Sequence, residues 1–152
     1  MISESRWQHI LGVARKARSL AACLRPDDTQ YQEDMFLLGM LHDFGYEFSK
    51  INTEHAHTGG QILKRAGYRY WREVFLHGDD LLEHMSDELF ILNLADMTTL
   101  PDGKPCNMEE RVKEIANRYG KGSPAHDKAR HMYSLLCHDE RYLRQISSKR
   151  FL

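Results

Sequence analysis

The sequence is short of the features that would place a chain in a membrane, an oxidising compartment or a nucleic-acid complex. Its longest apolar run, Met35 to Leu41, is far too short to cross a bilayer, which takes about 20 such residues. The opening residues, Met1-Ile2-Ser3-Glu4-Ser5-Arg6, contain no basic segment leading into an apolar one, so no secretory leader is expected. Cys23, Cys106 and Cys137 are odd in number and far apart, with no Cys-x-x-Cys pair. They predict reduced, packing thiols and a cytoplasmic location rather than a disulfide framework. The formal net charge is −1 and the pI is near 6.7, so there is no global basic field and nucleic-acid binding is not favoured. A small phosphorylated ligand needs only a local positive site and remains open. Internal repeats, low-complexity segments and alternating strand patterns are also missing.

What is present is helical periodicity. The chain has 152 residues, 41% hydrophobic and 28% charged, enough for one domain with a real core. The first helix is expected over 3–24, with Ile10, Val13, Ala14, Ala17, Ala21 and Leu24 on one stripe. A second covers 31–43 and carries Met35, Leu38 and His42 on one face, with Gly45 as its stop signal. Further helices are expected over 53–65, 68–76 and, capped by Ser86, to about 98. After a Pro/Gly loop over 100–105, Asn107 and Glu110 form a capping box for a helix ending near Tyr119. Pro124 starts a last helix reaching 146, with Ala125, Ala129, Met132, Leu136, Leu143 and Ile146 as its apolar positions, and the basic tail 147–152 is expected to fray. The prediction is an all-α, single domain over 1–152: a compact bundle of six or seven helices, with a core over 3–119 and a C-terminal helix over 124–146.

Asp96 closes the apolar run Leu89-Phe90-Ile91-Leu92-Asn93-Leu94-Ala95-Asp96 and shares a helical face with Leu89 and Leu92. A carboxylate on an apolar face is costly unless something positive meets it. His9, the pair His42-Asp43, His55 and His77 all lie upstream as candidate partners. Imidazoles and carboxylates meeting at one interior point are the nitrogen-and-oxygen donor set of a transition-metal site. Each residue alone has a plainer reading: a packed histidine, a helix-end histidine, a turn-initiating aspartate.

Taken together, His9, His42-Asp43 and Asp96, in that order on separate apolar helices, resemble the HD-domain superfamily of metal-dependent phosphohydrolases. Arg6-Trp7-Gln8-His9-Ile10-Leu11-Gly12-Val13-Ala14 looks like that family's opening helix, and Leu38-Gly39-Met40-Leu41-His42-Asp43-Phe44-Gly45 looks like its signature. His55-Ala56-His57-Thr58-Gly59-Gly60-Gln61-Ile62-Leu63 resembles a segment of the dinuclear members, in a register that makes His55 the ligand, with Gly59 and Gly60 allowing close packing. The interval from His77 to Asp96 is close to that of small bacterial HD proteins that cleave diadenosine tetraphosphate; His84 is the competing candidate.

The resemblance implies a first metal held by His9, His42, Asp43 and Asp96, and a second held by His55 and His77 with Asp43 bridging. The ions could be Fe, Mn, Zn, Co, Ni or Mg, two per chain. It also implies hydrolysis of a phosphoester or phosphoanhydride in a small, nucleotide-like substrate, with Asp43 and Asp96 orienting a metal-activated water. His57 is a candidate acid for the leaving group, and His126, His131 and His138 are expected to face solvent. A homodimer is compatible with this reading. Where many members carry a signature Lys, this chain has Tyr46; Lys50, Arg65, Lys104 or Arg111 are the candidate replacements. Three other readings stand beside it: an inert HD domain that binds a nucleotide as a regulatory module, a helical domain whose histidines are all structural, and a di-iron oxidase.

Overall fold

The computed structural model describes residues 2–147, and among them every regular element is helical. The order is α1 (Glu4–Leu24), α2 (Thr29–Leu41), α3 (His55–Arg65), α4 (Trp71–Leu76), α5 (Asp87–Met97), α6 (Met108–Tyr119), α7 (Pro124–Cys137) and α8 (Glu140–Ser147), with 3-10 turns at Phe44–Glu47 and Asn52–Glu54. No described helix is long and apolar enough to cross a membrane.

Local chemistry sets the helix starts. The Ser3 hydroxyl accepts from Arg6 N, Ser86 from Leu89 N and Ser123 from His126 N, and Pro124 occupies the first turn of α7 where no amide donor is needed. Asn107 and Glu110 form both halves of the expected capping box. One anticipated helix is two: the segment over 124–146 breaks at His138-Asp139, where Asp139 Oδ1 accepts from Arg141 N at 2.8 Å and starts α8. Leu143, assigned to the apolar stripe, is exposed on α8. The Ile146 side chain and the expected fraying over 148–152 lie outside the described residues.

Helix α5 is buried almost all the way round, from Leu89 to Ala95, which makes it the central element. Around it pack three helix pairs, α1 with α2, α3 with α4, and α6 with α7. Phe90, Ile91, Leu92, Met35, Leu38 and Leu20 are fully buried between them, each contributing about 1.5–3 kcal/mol of burial.

Glycines let these pairs close up. A Cβ on Gly39 would stand 2.5 Å from Ala14 Cα, so α2 crosses α1 in direct backbone contact. A Cβ on Gly60 would stand 2.6 Å from Phe75 Cα, which joins α3 to α4; this is the close packing expected of the Gly59-Gly60 pair. Gly45 does not stop α2, which already ends at Leu41. It packs against the main chain of His55 and Gly59 instead, fastening the His42-Asp43 turn to the start of α3.

Candidate metal centre

Three of the four upstream histidines stand where a helix or helical turn ends. His42 caps the C-terminus of α2, His55 that of the second 3-10 turn, and His77 that of α4. The last carbonyls of a helix are short of intrahelical partners, and each of these rings donates to one of them, at Asn52 and Val74 alongside the backbone N–H of the same histidine. His42 Nδ1 donates to Gly39 O at 2.6 Å, His55 Nδ1 to Asn52 O at 2.7 Å and His77 Nδ1 to Val74 O at 2.6 Å. His9, on α1, donates from Nδ1 to Leu100 O at 3.1 Å. That carbonyl belongs to the Pro/Gly loop, which is laid onto α1 because Gly103, at φ +86°, approaches Gln8 O too closely for a side chain.

A carbonyl can only accept, so every Nδ1 must carry a proton, and Nε2 is the ring atom left to face the interior. The four Nε2 atoms converge on two carboxylates. His9 Nε2 is 2.9 Å and His42 Nε2 4.0 Å from Asp96 Oδ1. Asp43 Oδ2 faces His42 Nε2 at 3.3 Å and His9 Nε2 at 3.9 Å. Its other oxygen, Oδ1, faces His55 Nε2 at 3.3 Å and His77 Nε2 at 3.5 Å. His55 and His77 bring their Nε2 atoms to 3.2 Å of each other. Two lone pairs at that distance repel unless a positive charge, proton or metal ion, stands between them.

Two sets of these groups could hold a metal ion: His9 with His42 and Asp96, and His42 with Asp43 and His77. Ligand atoms about 2.1 Å from a tetrahedral ion stand about 3.4 Å apart, close to most of these separations. The Nε2 of His42 is fully buried and makes no hydrogen bond, the state expected of a donor atom reserved for a cation.

Comparison with known proteins adds no name: no family model, curated protein or solved structure matches this chain.

The electrostatics fit a cation site. Burial disfavours ionised Asp43, but the charge of His42 and the His55 and His77 rings against its other oxygen hold its carboxyl well below the usual range. Burial acts the same way on Asp96, and His9, His42 and Arg111 overcome it. Burial lowers the His42 pKa, yet Asp43 and Asp96 push it up to about 9. His77 is held down, first by burial.

Of the other sequence candidates, His84 is exposed and plays no part in the cluster. His57 is exposed and stacks on Phe75 at 4.4 Å, on the cavity wall rather than in the cluster. His131 and His138 face solvent as expected, but His126 does not: it is 8% exposed, and its Nδ1 accepts from Gly122 N at 2.9 Å. That bond ties the ring to the 120–122 turn just before its helix.

Tyr46 stacks on His55 at 3.9 Å and carries the Arg6 guanidinium on its other side, 3.8 Å from the ring centroid. Arg6 Nη1 donates to Asp43 Oδ2 at 2.9 Å. Of the candidate replacement cations, Arg111 reaches the cavity; Lys50, Arg65 and Lys104 are exposed and line no part of it. Two residues had no role assigned from sequence. Arg6 is one. Asn93 is the other, a buried amide one helical turn before Asp96 whose Oδ1 accepts from Gly78 N at 2.9 Å and pins the turn after His77. An amide inside an apolar run was as visible a signal as Asp96 itself. Five of the six groups, all but the fully buried His42, line a cavity of about 530 Å³, whose wall also includes Phe75 and Ile115, Arg118, Lys128 and Met132 of α6 and α7.

Proposed function

We propose that this chain is a metal-dependent phosphohydrolase of the HD type, cleaving a phosphoester or phosphoanhydride bond in a small nucleotide-like substrate. The observation that carries the reading is the convergence of four Nε2 atoms on two carboxylates, with every Nδ1 tied to a carbonyl. Four imidazole nitrogens and two carboxylates gathered in a buried centre need positive charge among them, protons or metal ions, to hold them together.

His9, His42, Asp43 and Asp96 would hold one cation, and His55 and His77 a second. Asp43 suits the bridging place because its two oxygens face the two groups of rings. Divalent ions there would lower the pKa of a bound water and neutralise charge on phosphoryl oxygens. The protein supplies the rest. Asp43 and Asp96, ionised at neutral pH by their depressed pKa values, accept a hydrogen bond from the attacking water and orient it toward phosphorus. The carbonyls behind the rings keep the tautomers correct. Arg6 and Arg111 place positive charge at the cavity floor, and the cavity volume suits a ligand of nucleotide size.

The test is elemental analysis of protein purified without chelator or metal-affinity resin, followed by a screen of nucleotides and dinucleoside polyphosphates. About two transition metals per chain with phosphate release supports the reading. No metal, and none regained on adding Mn, Fe or Zn, sinks it.

A further inference from the structure

Arg111 is a buried cavity-lining cation whose bonding is left incomplete. It is 8% exposed on α6. Its Nη1 donates to Glu114 Oε2 at 2.8 Å. Its Nη2 stands 3.6 Å from Asp96 Oδ1, an ion pair longer than a hydrogen bond. Its Nε is buried and has no hydrogen-bond partner. An unsatisfied buried donor costs about 1–3 kcal/mol, and a guanidinium serving only to fasten α6 to α5 would close its fork on the neighbouring carboxylate. Glu114 prevents that: it also accepts from Arg118 Nε at 3.0 Å, and this ladder along α6 fixes the guanidinium by its far nitrogen.

The other nearby cation differs. Arg6 is engaged on Asp43 and on the face of Tyr46. Arg111 therefore holds an incompletely bonded donor edge beside the cluster, with Nε unpartnered and Nη2 3.6 Å from Asp96. A planar edge of two N–H groups matches two oxygens of a tetrahedral oxyanion.

We propose that Arg111 is the anion anchor of this cavity, donating from its Nε and Nη2 edge to the oxygens of the substrate phosphoryl group next to Asp96. The inference rests on the hydrolase reading and adds to it a substrate-contacting residue outside the six-ligand set.

The experiment uses the full chain loaded with Mn, as wild type, Arg111→Met and Arg111→Lys. Inorganic phosphate is the titrant in calorimetry, Mn content is measured on the same samples, and thermal unfolding checks the fold. The expected result is about tenfold or greater weakening of phosphate binding in Arg111→Met at unchanged Mn content, since a hydrogen bond to a charged group contributes about 1.5–3 kcal/mol. Arg111→Lys recovers part of it, because a point charge lacks the fork. Equal phosphate affinity in Arg111→Met overturns the proposal. Loss of Mn in that variant also overturns it and makes Arg111 a structural partner of Asp96. Wild type that holds Mn but binds no phosphate refutes the anchor alone; wild type that takes up no Mn refutes the hydrolase reading beneath it.

Discussion

Gly39→Ala tests whether the first half of the site depends on direct contact between α1 and α2. The added Cβ would sit 2.5 Å from Ala14 Cα and 2.9 Å from Ala14 N, and ordinary contact begins at 3.4 Å, so the helices must part by roughly 0.9 Å. Both clashing atoms are main chain, so no side chain can rotate away. Overpacking of this kind costs about 1–3 kcal/mol, and the better helix propensity of Ala returns up to about 1 kcal/mol. The net expectation is a loss of about 1–2 kcal/mol. For a chain of this length that is a fall in Tm of about 2–8 °C, read by circular dichroism on chelated protein. The same displacement separates His9 on α1 from His42 at the end of α2, whose rings stand 5.7 Å apart. Metal affinity measured by competition with a chelator should therefore fall for one ion, while the ion at His55 and His77 is retained. A chelated variant as stable as wild type, or more stable, would refute the close crossing and the reasoning built on it.

His77→Ala should lower metal content by about one ion per chain, and His84→Ala should leave it unchanged; the reverse pattern would move the second cation to the loop. Asp43→Ala should abolish hydrolysis while the circular dichroism spectrum is kept, and full turnover in that variant would remove Asp43 from the centre. Asp139 gives a pH signature away from the site. Burial would raise its pKa, but hydrogen bonds and charge from Arg141 hold it below the ordinary 3.8. A carboxyl depressed in the folded state stabilises the protein above that value and loses the contribution as pH falls through the folded pKa. Urea unfolding should find Asp139→Asn weaker than wild type at pH 7 and the gap closing toward pH 3; a gap independent of pH would refute the linkage.

Helix identity was legible because hydrophobic period and caps agree, as at Ser86, Asn107 and Pro124. The break between α7 and α8 was not, because the apolar spacing runs on across His138 and Asp139 and only the capping bond of Asp139 interrupts it. In the site, the six His and Asp residues could be picked out because polar groups in apolar segments are conspicuous. The reach of Arg111 could not, since a long side chain takes its direction from its neighbours, here Glu114 and Asp96. Burial of His126 comes with a bond to the turn before its helix, and Gly45 was read as punctuation when its use is contact with α3. The groups that aim the rings, main-chain carbonyls at helix ends, have no letter in a sequence.

That last feature bears on how such a centre can change under mutation. Where side chains hold the ligands of a metal in place, each is a separate target, and affinity can drift by substitutions outside the donor set. Here the carbonyls of Gly39, Asn52, Val74 and Leu100 do that work, and any residue type provides a carbonyl. Outside Gly39, where the helix crossing excludes a side chain, the orienting atoms do not depend on residue type. Substitution would then act mainly through the six proposed donors, where it would remove a ligand, or through the cavity wall of α6 and α7, where it would alter what is bound without disturbing what binds it.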